Sequence, residues 1–409
     1  MAKEKLFLIL DIDGTLLEAE GYRAACIDTI NDFLKRYGQS SLKITRKVTD
    51  AFEAAGITAE WDIVPLVLAA YVNWHCILFP GVDPRLGCIE LSGHDLILNN
   101  EAFENMLVEM SERYNSMLNP DETPINAVYH YLQNNKGRGL EHLWSLPYRD
   151  EYFVDTLNPG KCPFFAQLMN RLLGSERFSK FYDMPEVLSC ESYLEKKDKL
   201  LISEEYRNLL PEMAGNGVYP VIMTYRPTVL PEVEGNKSSQ YFVNTPEGEC
   251  ALRLLGWDDV RMPMIGAGSL CFIEEKYNLR REYYVKPHPF HAIAAMVMSL
   301  CQDEIKALEI ARQLCEAKPS LENSPLKKWL DDGESFTLAV FEDSVSGINS
   351  VKNAASVLKK WGYDVKISLN GIKSTKEKDK LLLNTGAKIY RNINEALDDV
   401  LEEYMSEGR

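Results

Sequence analysis

Two apolar segments of the sequence are each followed directly by a pair of carboxylates. One segment covers residues 6–10 and the other covers residues 336–341. The four acids that follow them are Asp11, Asp13, Glu342 and Asp343. Carboxylates that converge repel one another unless a cation joins them, and hard divalent cations prefer oxygen ligands. The pattern therefore predicts a Mg²⁺ site. The alternative, that each acid only caps the next helix, suits one acid at one strand end better than four acids at two.

A third apolar segment also ends in polar residues. The run Val218–Thr224 is followed by Tyr225 and Arg226. If the three segments are neighbouring strands of a parallel sheet, their carboxyl ends meet at one edge, which is where ligands of open α/β sheets bind. We therefore expect the three polar clusters to form one site.

The elements that would position this site predict an α/β fold. Continuous apolar runs are typical of buried parallel strands. The candidate strands lie at residues 6–10, 218–224, 262–265, 336–341 and 364–369. Helical patterns between the later strands predict a doubly wound parallel sheet, and residues 17–200 read as a mainly helical domain inserted after the first strand. The expected domains are a core of residues 1–16 with 201–409, and a helical domain of residues 17–200.

Composition limits the partners that the chain could have. Its 409 residues carry a formal net charge of −16, which disfavours binding to nucleic acid or to anionic membranes. The apolar run near the N-terminus is too short for a signal peptide, and the nine cysteines form no CxxC pair. We therefore expect a cytoplasmic protein. The apolar segment Ile63–Pro80 contains Pro65, Asn73 and His75, so a buried helix is expected there and not a membrane span.

Four short motifs resemble those of the haloacid dehalogenase-like superfamily, in the order in which that family has them. The segment Asp11-Ile12-Asp13-Gly14-Thr15 resembles its first motif, and Thr224 resembles its second. Lys286-Pro287 is similar to the third motif, and Glu342-Asp343-Ser344 with Gly347-Ile348 is similar to the fourth. The helical block lies where this family has its C1 cap domain. The resemblance implies a Rossmann-like core, a Mg²⁺ cofactor and phosphate-ester chemistry.

The resemblance also implies a role for each motif residue. Asp11 is expected to be the nucleophile that forms an aspartyl-phosphate, and Asp13 the general acid and base. Thr224 is expected to donate a hydrogen bond to a phosphoryl oxygen, and Lys286 to balance the charge of the phosphate and Asp11. The metal ligands that the resemblance implies are Asp11, the backbone carbonyl of Asp13, Asp343, and Glu342 directly or through water.

Three further residues are candidates for substrate recognition. Arg226 could bind a second anionic group of the substrate, or it could be solvated or lie in an ion pair. Thr58 and Trp61 belong to a polar loop at residues 56–62, where C1 caps typically send a loop toward the active site. The alternative for this loop is a helix connection with Thr58 as the N-cap. Tyr225 stands where the family often has glycine, which predicts a different size or approach of the substrate.

Two other features lie outside the motifs. His288 and His291 could form a metal pair, but zinc sites need three or four ligands, so a surface pair at a helix start is favoured. The segment Cys301–Asp332 lengthens the spacing between the third and fourth motifs beyond what is usual for the family. We expect surface decoration or a partner-binding helix pair there.

The sequence leaves three functions open. The first is a Mg²⁺-dependent phosphatase that acts on a small soluble phosphorylated metabolite. The second is a phosphomutase of the β-phosphoglucomutase type, because the EDSxxGI form of the fourth motif also occurs in that branch. The third is a non-catalytic binding protein, which is least favoured because all the expected catalytic residues are present.

Overall fold

The chain folds into two compact units. The computed structural model describes residues 4–86, 99–231, 244–260, 262–331 and 335–407. One unit, the α/β unit, consists of Met1–Ala19 with Asp198–Arg409, and the other, the helical unit, consists of Glu20–Lys197. Both boundaries between the units lie three residues from those expected from the sequence. Residues 17–19 and 198–200 belong to the α/β unit because two short strands in these segments pair with each other.

In the described part of the α/β unit, a parallel sheet of six strands forms the centre. The strands along the chain are β1 Lys5–Leu10, β2 Leu17–Glu18, β3 Lys199–Leu200, β4 Val218–Met223, β5 Met264–Ile265, β6 Ser335–Glu342, β7 Asp364–Ile372 and β8 Lys388–Tyr390. The large sheet has the order β5-β4-β1-β6-β7-β8, while β2 and β3 form a separate antiparallel pair. Strand β1 therefore lies between β4 and β6, with Leu10 level with Ile222 on one side and Phe341 on the other.

Helices cover both faces of this sheet, as a doubly wound fold requires. They are α10 Glu204–Met213, α11 Glu247–Leu255, α12 Ala267–Lys276, α13 Pro289–Cys301, α14 Glu304–Glu316, α15 Val345–Lys360, α16 Lys376–Asn384 and α17 Ile393–Glu407. Side chains alternate across a strand, so Phe7 and Ile9 enter one core while Leu6, Leu8 and Leu10 enter the other. Both faces are buried, which explains the continuous apolar run of β1 and confirms the predicted fold class.

The helical unit, in its described residues 20–86 and 99–197, is built from α-helices and short 3₁₀ turns. Its α-helices are α1 Glu20–Arg36, α2 Arg46–Ala54, α3 Glu60–Leu78, α4 Asn100–Asn115, α5 Pro124–Asn134, α6 Glu141–Trp144, α7 Pro163–Leu173, α8 Ser175–Tyr182 and α9 Tyr193–Lys196. Helix α3 is long and apolar enough to cross a membrane by length and composition, and 78% of that apolar window is buried inside the protein. Its buried Asn73 accepts the backbone N–H groups of His142 and Leu143 at 3.0 and 3.1 Å, as expected for a core helix.

The structure corrects two predictions about the α/β unit. Strand β8 is not among the strands predicted from the sequence, because its three residues are too short to give a pattern. The segment Cys301–Asp332 is not surface decoration or a helix pair in the residues that are described. It contains the single α-helix α14, which buries Ala307, Leu308 and Leu314 in the core on the side of α13.

Candidate active site at the carboxyl edge of the sheet

Three adjacent strands end at the same edge and carry the candidate residues. Asp11 follows β1 directly, and its backbone N–H donates to the carbonyl of Phe341 at 3.1 Å. Glu342 is the last residue of β6, and Thr224 is the first residue after β4. Because β1 lies between β4 and β6, the parallel register brings these three positions together.

Three carboxylates and one ammonium form the centre of this edge. Asp11, Glu342 and Asp343 each present an oxygen, and these oxygens lie within 4.8 Å of one another. Lys286 joins the first two, since its Nζ donates to Oδ1 of Asp11 at 2.7 Å and to Oε1 of Glu342 at 2.6 Å. Glu342 is also held by Ser344, whose N–H and hydroxyl both donate to Oε2. The group, which we term the carboxylate cluster (Asp11, Glu342 and Asp343), could hold a divalent cation.

The charges within the cluster are not balanced by its lysine. Burial and the neighbouring Glu342 raise the pKa of Asp11 well above its ordinary value, against the opposing effect of Lys286. Burial also raises the pKa of Asp343. For Lys286, burial by itself would lower the pKa, but Asp11 and Glu342 outweigh it and raise the pKa. Asp11, Glu342 and Asp343 meet two ammonium groups, those of Lys286 and Lys378, so three carboxylates face two positive charges and a further cation would be favoured.

The fourth predicted carboxylate does not join the cluster. The Asp13 carboxylate turns to Arg226, which donates to it from Nε at 3.0 Å and from Nη2 at 2.5 Å. The same Nη2 donates to Asp198 at 2.8 Å. Arg226 could have bound an anionic group of the substrate, been solvated or formed an ion pair. The structure shows the ion pair, because its side chain is 1% exposed and lies between two carboxylates. Asp13 is thus paired with Arg226, while its charge still acts on the other acids and contributes to the raised pKa of Asp11 and of Asp343.

Two glycines of the motifs leave room for the acids. A Cβ on Gly347 would lie 1.7 Å from Oε1 of Glu342, and a Cβ on Gly14 would lie 2.6 Å from Oδ2 of Asp343. Gly14 also has a φ of +74°, which favours glycine. The glycines are therefore part of the site, since any side chain at either position would displace an acid.

Thr224 and Lys378 also lie at this edge. Lys378 is not among the residues predicted from the sequence. The buried Thr224 accepts the backbone N–H of Arg226 on its hydroxyl oxygen at 3.1 Å, which leaves the hydroxyl proton to be donated. Lys378, in the first turn of α16, donates to Oδ2 of Asp343 at 2.9 Å. Its position in the fold could have indicated it, because α16 follows β7, the neighbour of β6, and the first turn of α16 therefore lies at the same edge.

The remaining candidates lie elsewhere in the chain. Thr58 precedes α3 and Trp61 lies in its first turn, so both belong to the helical unit. The N-cap of α3 is Ala59, so the alternative in which Thr58 caps this helix is wrong. His288 is the N-cap of α13 and accepts the N–H of Phe290, whereas His291 is buried and bonded to the carbonyl of Ile265. His291 is therefore not part of a surface pair.

Comparisons with known proteins address the fold. No protein-family model and no curated protein sequence matches the chain. The X-ray structure of Northeast Structural Genomics Consortium target ZR25 aligns with a TM-score of 0.61 and 13% sequence identity, over 98% of this chain and 100% of that chain. Phosphatase Tt82 from Thermococcus thioreducens aligns with a TM-score of 0.44 and 14% identity, over 92% of this chain and 99% of that chain. The first similarity shows that the α/β fold with its helical unit is shared.

Proposed function

We propose that the protein is a Mg²⁺-dependent phosphatase that hydrolyses a small phosphate ester through an aspartyl-phosphate on Asp11. The observation that carries this proposal is the carboxylate cluster at the carboxyl edge of the sheet, with Lys286 between Asp11 and Glu342. Such a site can hold a cation against its acids and, through the cation and the lysine, accept a phosphate dianion.

The donor set suits Mg²⁺. The cluster offers only hard oxygen ligands, and two opposite ligands of an octahedral Mg²⁺ lie about 4 Å apart. The three carboxylate oxygens already lie within 4.8 Å of one another, so small side-chain movements would bring them to that spacing. Asp11, Asp343 and the backbone carbonyl of Asp13 would hold the ion, with Glu342 directly or through water. When bound, Mg²⁺ supplies positive charge that draws the phosphate to Asp11 and stabilises charge in the transition state.

The first step transfers the phosphoryl group to the protein. A carboxylate oxygen of Asp11 attacks phosphorus, and the bond from phosphorus to the alcohol oxygen breaks. Asp13, protonated from solvent once it has left Arg226, gives that proton to the departing oxygen, so the alcohol leaves neutral. To reach that oxygen, Asp13 must turn away from Arg226, and its side chain is 41% exposed, which gives it room to move.

The second step returns the protein to its starting state. Asp13 removes a proton from water as that water attacks phosphorus, and the bond to Asp11 breaks with release of phosphate. Lys286 remains on Asp11 through both steps and balances the added negative charge, while the Thr224 hydroxyl donates to a phosphoryl oxygen. We also propose that the chain belongs to the haloacid dehalogenase-like superfamily and that the protein is cytoplasmic. Thr58 and Trp61 of the helical unit are proposed to recognise the substrate.

The test is phosphate release from a panel of phosphorylated metabolites with Mg²⁺. Asp11→Asn keeps the size of the side chain but removes the nucleophile, so we expect release to fall to the background of the assay. Asp364→Asn is the matched control, because Asp364 is exposed at the first position of β7, at the opposite end of the strands. Chelation of divalent cations with EDTA should abolish release in the wild type.

The proposal fails if wild type and Asp11→Asn release phosphate equally, or if neither releases it from a broad panel. A different outcome would change the reaction class. If a sugar phosphate is isomerised, with a long-lived phospho-Asp11 and a need for a bisphosphate activator, the protein is a phosphomutase.

A further inference from the structure

Among the described residues, two lysines contact the carboxylate cluster, and they differ in burial. Lys286 is 7% exposed and holds two acids, so it is a fixed part of the site. Lys378 is 53% exposed and contacts Asp343 through a single bond of 2.9 Å at its Oδ2. A half-exposed lysine loses little when its ammonium moves into water, because a single exposed ion pair is weak.

Asp343 itself has little freedom to move. Its carboxylate packs against Gly14 so closely that a Cβ there would lie 2.6 Å from Oδ2 and 2.7 Å from Cγ. Its side chain is largely buried, and the backbone after it leads at once into α15 with Ser344 as the N-cap. When a cation approaches Asp343, the ammonium of Lys378 is therefore the group that gives way.

We propose that Lys378 is a displaceable counter-ion, which occupies Asp343 while no metal is bound and withdraws into solvent when a divalent cation takes that carboxylate. This inference rests on the metal site of the proposed function and adds a residue that sets its affinity. Lys378 neutralises a carboxylate that burial would otherwise leave uncompensated, and it does so without blocking the site permanently.

The expected effect is a change in metal affinity without any substrate. Lys378→Met removes the competing ammonium and keeps the length of the side chain, so Mg²⁺ should bind roughly two- to fivefold more tightly, which is the range for an exposed lysine–carboxylate pair. Lys378→Arg keeps the charge and should bind Mg²⁺ like the wild type. Lys380→Met is the matched control, because it removes the same charge from an exposed position of α16.

The experiment is a calorimetric titration of the metal-stripped, full-length protein with MgCl₂ at low ionic strength and again in 0.5 M salt. Tighter binding by Lys378→Met, with Lys378→Arg and Lys380→Met like the wild type, would support the inference. The difference should shrink at high salt, since salt screens the ion pair that the wild type must break.

Three outcomes would overturn the inference. Equal or weaker Mg²⁺ binding by Lys378→Met means that this lysine does not compete, and equally tight binding by Lys380→Met means that only the net charge of the helix matters. If the wild type binds no Mg²⁺, there is no cation for Lys378 to compete with. The phosphate-release assay with Asp11→Asn distinguishes these results from failure of the proposed function, because an active enzyme with unchanged Lys378→Met affinity loses only this inference.

Discussion

Arg226 should be one of the residues on which the stability of the α/β unit depends most. Its guanidinium lies between Asp198, whose side chain is fully buried, and Asp13, which is partly exposed. Arg226→Met retains much of the side-chain volume and removes the charge. The buried Asp198 carboxylate then loses the guanidinium that donates to it at 2.8 Å.

The size of this effect follows from the burial of the three partners. Removing one member of a buried ion pair typically costs about 3–5 kcal/mol, because a buried charge loses the opposite charge beside it, and we expect that range for Arg226→Met. Asp198→Asn should cost less, about 1–3 kcal/mol, since Arg226 still has Asp13. Asp13→Asn should cost about 1 kcal/mol or less, because this carboxylate reaches solvent.

A double-mutant cycle separates the pairing from the cost of each change. Unfolding free energies are measured by chemical denaturation of the wild type, Arg226→Met, Asp198→Asn and the double variant. In the double variant neither member of the pair carries a charge, so its cost should be smaller than the sum of the two single changes. A cost below about 1 kcal/mol for Arg226→Met, or simple additivity, would show that the reasoning from burial is wrong.

Three more predictions concern other groups. Burial raises the pKa of Asp62 in the helical unit to about 7. The stability that its protonated form contributes is complete below about pH 4 and is lost as the pH rises through 7. The unfolding free energy of the wild type relative to Asp62→Asn should therefore fall by up to about 4 kcal/mol between those limits. A pH-independent difference in denaturation experiments would contradict this. Lys286→Met removes the ammonium shared by Asp11 and Glu342. Without metal, this change should lower the unfolding free energy by about 3–5 kcal/mol. Mg²⁺ should raise the melting temperature of this variant more than that of the wild type in a thermal-shift assay. Equal shifts would argue against a metal near these acids. Gly347→Ala should cost about 1–3 kcal/mol in chemical denaturation, because its Cβ would overlap Glu342, and an unchanged stability would mean that this acid moves freely.

The sequence was sufficient to predict the main strands of the sheet and the edge at which the acids lie. The apolar runs that became β1, β4 and β6 are buried on both faces, so their composition alone identifies them as parallel strands. The acids that follow two of these runs mark the edge, since a parallel sheet places all carboxyl ends together. Element limits shifted by a few residues, and the short β8 was missed, because three residues carry no periodic pattern.

The partners of the side chains could not be predicted in the same way. Asp13 and Arg226 are 213 residues apart, and Lys378 and Asp343 are 35 residues apart. No periodicity relates such positions, so their pairing depends on where loops and helix ends come to lie. Asp198 shows the same limit: in the sequence it is one charge in the run at residues 195–199, yet the fold buries it completely against Arg226.

The sequence by itself determined that acidic groups gather at the carboxyl edge of a parallel sheet, because strand composition and strand direction are local properties of the chain. Only the tertiary structure decided which basic side chain each of those acids pairs with. Lys286 binds Asp11 and Glu342, whereas Asp13 turns to Arg226 and Asp343 to Lys378. The pairing depends on which buried charge is nearest, and distances between remote segments exist only once the chain has folded.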